Sequence, residues 1–184
     1  NTQHSLSKFH SEIFPKAYYS LFKESNGRLW FSSGGVTYDV YNAAGNQHLK
    51  SIPVLGFPTA LVEDLHSGTI WLTTTIGLYE IDKQTLVISR LYNESNGFPA
   101  SNFSSMLMDA KGHLWLASLG DLIDFNPLDK STHTYSQEDG LPASSFNLFS
   151  AIQLKNGEMW FGSPEGITAF YPDQLKNVTY TAQP

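Results

Sequence analysis

An all-β chain of β-propeller blades is what this sequence predicts, on three observations. Gly-x-x-Trp occurs four times, at Gly27/Trp30, Gly68/Trp71, Gly112/Trp115 and Gly157/Trp160, and takes in every tryptophan. The tryptophans lie 41, 44 and 45 residues apart, within the roughly 40–50-residue period of blades built from short strands. No stretch carries sustained helical periodicity, so almost no helix is expected.

Each unit opens on a large apolar residue before proline: Phe14-Pro15, Phe57-Pro58, Phe98-Pro99 and Leu141-Pro142. An apolar first strand follows, as in Ala60-Leu61-Val62 and Met106-Leu107-Met108. Tight turns then end in glycine, at Ser25-Asn26-Gly27, His66-Ser67-Gly68, Ala110-Lys111-Gly112 and Lys155-Asn156-Gly157. Glycine accepts the positive φ that such hairpins demand.

The second strand carries the tryptophan: Leu29-Trp30-Phe31, Ile70-Trp71-Leu72, Leu114-Trp115-Leu116 and Met159-Trp160-Phe161. Three large apolar residues in a row predict a strand covered on both faces, because a half-exposed strand alternates. A blade held between two neighbours meets that requirement. A two-sheet sandwich does too, but it supplies no reason for the period.

Small polar residues mark the second hairpin, at Ser32 to Gly35, Thr73 to Gly77, Ser118 to Asp121 and Ser163 to Gly166. Asp121 stands where units two and four have Gly77 and Gly166, and it is expected to take left-handed backbone there. Third strands follow, as in Leu78-Tyr79-Glu80-Ile81-Asp82 and Ile167-Thr168-Ala169-Phe170. The outer strand is more polar, as in Thr132-His133-Thr134-Tyr135, which suits an edge that must not recruit other strands.

These windows divide the chain into an outer strand of a preceding or closing blade (1–13), blade 1 (14–56), blade 2 (57–97), blade 3 (98–140) and blade 4 with an exit segment (141–184). Each blade is expected to be a four-stranded antiparallel sheet. The chain starts at Asn1 and is expected to be a piece of something longer. Residues 1–13 could close a ring onto the last blade, or the four blades could form an open arc with an apolar face at each end. An open arc predicts self-association through the terminal blades.

Composition narrows the function classes. A net charge of −6 with eleven scattered basic residues argues against nucleic-acid binding. No apolar run approaches the about eighteen residues needed to cross a bilayer. The absence of cysteine excludes disulfides and thiolate chemistry. Three Asn-x-Ser/Thr sequences, at Asn93, Asn102 and Asn177, are read as chance in a chain this rich in those residues.

The six histidines form no His-Glu-x-x-His pattern or close pair, and no metal or other cofactor is expected. Neither a Gly-x-Ser-x-Gly elbow nor a phosphate loop is present. Glu63-Asp64 and Glu138-Asp139 could serve a glycosidase only if two carboxyls converged across a bond. No catalytic residue is assigned.

Three segments of unit four carry a likeness to a known repeat: Asp139-Gly140-Leu141-Pro142, Asn156 to Ser163, and Gly166-Ile167. With Asp109 to Ser118 of unit three, they resemble the two-component regulator propeller repeat, over about residues 14–172. That resemblance implies seven-bladed propellers in the periplasmic, extracytoplasmic sensory part of inner-membrane receptors, hybrid histidine kinases and diguanylate cyclases among them. Phe170-Tyr171-Pro172-Asp173-Gln174-Leu175 resembles the exit of a last repeat, so the chain is expected to be the C-terminal part of a larger ring, an open arc.

Strand direction alternates through a blade, so loops entering the first strand share a face with those joining strands two and three. That face predicts a ligand-binding set of Thr75, Ser101, Asn102, Asp121, Ser144 and Glu165, with Phe98 or Phe103 stacking on a ring. Hydroxyl, amide and carboxylate groups suit a small polar molecule or an oligosaccharide. The same residues are also good turn formers. A non-enzymatic sensor segment is the leading expectation, a protein-interaction scaffold the alternative, and a propeller-fold lyase or glycoside hydrolase the third.

Overall fold

A computed structural model describes residues 18–33 and 36–175. The strand and blade expectations for 1–13, and most of the exit segment, lie outside those residues. The chain divides into two compact units, Asn1–Val54 and Leu55–Pro184.

The first unit is a meander of β1 (Tyr18–Lys23), β2 (Leu29–Ser33), β3 (Thr37–Tyr41) and β4 (His48–Pro53), paired in that order and antiparallel. Gly27 closes the first hairpin at φ +90°, and a Cβ there would lie 2.9 Å from that of Ala43. Both facts exclude a side chain. Trp30, Val40 and Ile52 are buried, with Tyr38 edge-on to the indole at 6.0 Å. Glu24 is buried as well, its carboxylate accepting from the Trp30 indole and from Arg28 at 2.8 Å. Those partners are what let a carboxylate sit in a core.

The second unit holds three antiparallel sheets in chain order. The first comprises β5 (Pro58–Asp64), β6 (Thr69–Thr74), β7 (Gly77–Asp82) and β8 (Val87–Tyr92). The second comprises β9 (Ser105–Met108), β10 (Leu114–Ala117), β11 (Leu122–Phe125) and β12 (Thr132–Tyr135). The third has three strands among the described residues, β13 (Ala151–Gln153), β14 (Met159–Ser163) and β15 (Gly166–Phe170). The leading strands β5, β9 and β13 are neighbours, so the sheets stack face to face as blades. Three 3-10 turns, at Glu94–Asn96, Gln137–Asp139 and Pro172–Gln174, are the helical turns among the described residues.

The run of three apolar residues on each second strand works by alternation. Leu114 and Leu116 point back into a core with Trp71, Leu78, Tyr92, Phe103 and Phe125. Trp115 and Ala117 point forward into the next core, with Tyr135, Phe146, Met159 and Phe161. Trp71 and Trp115 are therefore the forward knobs of their blades, filling the dry layer before the next sheet.

Trp160 departs from the pattern expected of it. It is only half-buried, while Trp30, Trp71 and Trp115 are at most 1% exposed. Ile152, Trp160 and Ala169 are directly paired across β13–β15, and Ile167 pairs with Gly162 beside them. Ile152 and Ile167 are 56% and 61% exposed. The face has the same build as the others, but no further sheet of this unit covers it among the described residues.

A second difference concerns the turn of blade 3. Left-handed backbone falls on Gly120, at φ +82°, and not on Asp121. Gly77 does not need positive φ either. Its constraint is space, because a Cβ there would come within 2.8 Å of the Tyr92 carbonyl oxygen.

Candidate functional site

Alternating strand direction does place the expected loops together, and hydrogen bonds tie them. In blade 2 the Phe57 N–H donates to Thr75 Oγ1 at 2.9 Å, and the Thr75 N–H donates to the Phe57 carbonyl at 3.0 Å. In blade 3 the Ser104 N–H donates to the Ala117 carbonyl, and Ser118 N–H to that of Asp121, both at 2.9 Å. Between blades, the Phe103 N–H reaches the Thr74 carbonyl at 3.1 Å, which sets Asn102, an exposed residue, beside the Thr75 hairpin.

Ser144 and Glu165 meet directly. The Ser144 hydroxyl donates to Glu165 Oε1, and this bond holds the Glu165 carboxyl below the usual glutamate range. The Asp121 turn abuts them, since a Cβ on Gly120 would lie 3.1 Å from the Ser144 carbonyl oxygen. Partial burial pushes the Asp121 carboxyl up. Neighbouring turns of one face thus carry two carboxylates of opposite tendency, one favouring its charge and one resisting it.

Ser101 is engaged elsewhere. Its hydroxyl accepts from the Glu94 N–H at 3.0 Å and donates to the Glu94 carboxylate at 2.8 Å, securing the turn at Glu94–Asn96. The stacking role expected of Phe98 or Phe103 fails outright: the two are 8% and 0% exposed. Phe98 packs against Tyr92, Phe103 and Phe125 with centroids 5.2–6.2 Å apart. Apolar side chains entering a blade from the crossover are taken into the layer between sheets.

An exposed aromatic does exist on this face, at a residue the sequence reading passed over. Between proline and tryptophan, Pro142 to Trp160 runs 18 residues, against 16 from Pro99 to Trp115. The excess accommodates Leu148-Phe149, 48% and 51% exposed. Phe149 has left-handed backbone at φ 60°, uncommon for a bulky residue and costly to hold. Its N–H donates to the Ser104 carbonyl at 3.0 Å, and its ring meets Phe57 edge-on at 5.9 Å. An edge of blade 4 is so brought over the entrance of blade 2. The unequal repeat spacing was the available signal.

Among the described residues, no group of three or more His, Asp or Glu is placed to hold a metal ion. No helix there is long and apolar enough to cross a membrane.

Relatives agree with this architecture. A histidine kinase P4 from Formosa agariphila is 28% identical, across 89% of this chain and 12% of that protein. The extracellular domain of the putative one component system BT4673 from B. thetaiotaomicron superposes with a TM-score of 0.69 at 16% identity, covering 89% of this chain and 24% of that one. The chain resembles two-component regulator propellers. The WD40 β-propeller domain of Doa1 superposes at a TM-score of 0.60 and 16% identity, over 79% of this chain and 46% of that domain, so the propeller blade is the shared architecture. No protein-family model matches the chain. This propeller segment spans about an eighth of the kinase relative and a quarter of the BT4673 domain.

Proposed function

We propose that this chain is a non-enzymatic, ligand-recognising segment of the periplasmic, extracytoplasmic part of a bacterial membrane receptor, of the two-component histidine kinase or diguanylate cyclase type. Transmission of the signal then lies in other parts of the receptor. The ligand is a small polar molecule or an oligosaccharide, taken on the loop face by Asn102, Asp121, Ser144 and Glu165, with Thr75 behind them and Ser101 shaping the rim. Phe149 is the observation that carries this reading. Its contact with Phe57 covers one edge and leaves about half of the ring in solvent, and a ring so exposed beside hydroxyls and carboxylates suits the C–H face of a sugar. Its similarity to a histidine kinase and to the extracellular domain of a putative one component system supports the receptor context.

Glycan-array screening of the complete extracytoplasmic region tests it, followed by calorimetry on any hit. Phe149→Ala is expected to weaken a hit by about tenfold or more while leaving the melting temperature within a few degrees. Undiminished affinity in that variant refutes the loop-face assignment. Turnover of the bound glycan by the purified protein refutes the non-enzymatic part.

A second reading is favoured by the open face of the last sheet. Ile152, Trp160 and Ile167 form an apolar surface of the kind that blades elsewhere in the unit bury. We infer self-association of the isolated chain through that terminal blade, with a second copy as the covering partner.

A further inference from the structure

On the outer rim of the second unit, a groove of about 440 Å³ lies between β8 and the turn that leads into β12. Its lining includes Arg90, Tyr92, Gly97, Pro99, Lys130 and Thr132. Two cations and no carboxylate face it, in a chain whose net charge is −6.

The repeat itself shows that Lys130 is not demanded by the fold. Ile81, Phe125 and Phe170 are equivalent, pairing with Ile70, Leu114 and Met159 on the second strands. Five residues on from each stand Leu86, Lys130 and Leu175. Leu86 and Lys130 share left-handed backbone, at φ 56° and 64°. They also share the turn hydrogen bond, from Leu86 N–H to Asp82 at 2.8 Å and from Lys130 N–H to Asn126 at 2.9 Å. One blade along, the matching groove holds about 170 Å³ and is lined by Leu122, Leu141, Phe170 and Leu175, with Asp139 and no cation. Leucine is a sufficient cover for the blade edge. Lysine adds a charge to it.

That charge is only partly spent within the protein. The Lys130 ammonium stands 5.4, 5.6 and 5.9 Å from the Trp71, Tyr92 and Phe125 ring centroids. Glu80 lies 3.4 Å away, a long contact, and its carboxylate also accepts the Tyr92 hydroxyl at 2.7 Å. An ammonium has three donors, so others remain for the groove. Arg90 stacks over Tyr92 at 5.6 Å and has no ion-pair partner among the described residues. Packing over aromatic rings holds both cations in place, and it does not account for the space left open between them. A Cβ on Gly97 would meet nothing within 4 Å, so the crossover leaves that space open.

We propose that this rim groove is a second binding site, separate from the loop face, and that it takes an acidic sugar. A carboxylate or sulfate substituent lies between Arg90 and Lys130, a ring hydroxyl reaches the Thr132 hydroxyl, and the Pro99 ring faces the sugar's C–H surface. The volume falls in the roughly 300–1,000 Å³ range of small-molecule sites and is too large for an inorganic anion alone to fill. Guanidinium and ammonium groups bind such oxyanions by charge-assisted hydrogen bonds.

Calorimetry on the 184-residue protein tests the assignment. The probes are trigalacturonate, its fully methyl-esterified form, a sulfated trisaccharide and sodium sulfate. At least one acidic trisaccharide is expected to bind and to weaken as salt rises, with the ester and free sulfate giving no comparable heat. Arg90→Gln and Lys130→Leu are each expected to reduce that affinity about tenfold. Leucine is the residue this fold already uses at the second position, so Lys130→Leu is expected to melt with the parent. Phe149→Ala is expected to leave rim affinity unchanged, which separates this site from the loop face. Equal binding of acid and ester, unaltered affinity in both cation variants, or no binding of either acidic sugar at millimolar concentration overturns the proposal.

Discussion

Replacing Trp115 with alanine removes the largest side chain from the layer between blades 3 and 4. The indole is 1% exposed. It stacks on Tyr135 at 5.9 Å and packs on Phe170 at 4.9 Å. Its N–H donates to Asp109 Oδ2 at 3.1 Å, while Asp109 Oδ1 remains held by the backbone N–H groups of Lys111 and His113. Large-to-small loss at a closed site costs about 3–5 kcal/mol, and the hydrogen bond adds about 1 kcal/mol. The expected total is about 4–6 kcal/mol, a large part of the roughly 5–15 kcal/mol that holds a domain together. Trp160→Ala is the internal control, because the same side chain in the same repeat position is half-buried on an open face and leaves no enclosed cavity. It is expected to cost about half as much or less. With a urea m-value of about 2 kcal/mol/M, Trp115→Ala shifts the unfolding midpoint by about 2–3 M and Trp160→Ala by about half that or less. The assay is urea unfolding followed by far-ultraviolet circular dichroism, with a second probe checking that the transition stays cooperative. Equal shifts, or a Trp115→Ala shift below about 0.5 M, refute the alternation of knobs between layers.

Two further outcomes follow from the same geometry. Partial burial raises the Asp121 carboxyl, so its contribution to stability is fully present below the unfolded-state value of about pH 4 and is lost as pH rises through the higher folded value. Asp121→Asn is therefore expected to flatten the thermal-stability profile just above pH 4 and to stabilise the protein modestly at neutral pH; an unchanged profile contradicts the burial argument. Ile152→Lys puts a charge on the open face of the last sheet, where it costs the monomer little. It is expected to turn a self-associating chain into a monodisperse monomer by light scattering, and association that survives the substitution places the contact elsewhere.

Particular residues mark how far sequence reading reaches. The glycine turns at Gly27, Gly68, Gly112 and Gly157 all have the positive φ expected of them, because the constraint is local to each residue. Outer strand β12 coincides with Thr132–Tyr135, again a local polar pattern. The loop face also follows from local facts, since antiparallel strands must send alternate connections to the same end. Its occupants do not. Phe98 and Phe103 looked available because they lie in the loop that enters the first strand, and it takes the neighbouring sheet to bury them. Phe149 was legible only as two surplus residues, and its exposure depends on Ser104 and Phe57, each more than forty positions away. The carboxylate six residues before tryptophan was visible as Glu24 and Asp109. Its work of accepting the indole N–H became clear only when both ends of the hairpin were placed.

The sequence alone determined the blade: which segments pair, where the first hairpin of each repeat turns, and which strand carries the tryptophan. Those are consequences of φ preferences and of the two-residue alternation of strands, which neighbouring residues fully specify. Tertiary structure alone decided which apolar faces stay covered, which loop residues meet, and that Arg90 and Lys130, forty residues apart, share one groove. Those outcomes depend on how one sheet stacks on the next, and stacking joins positions a full repeat apart that no local preference relates.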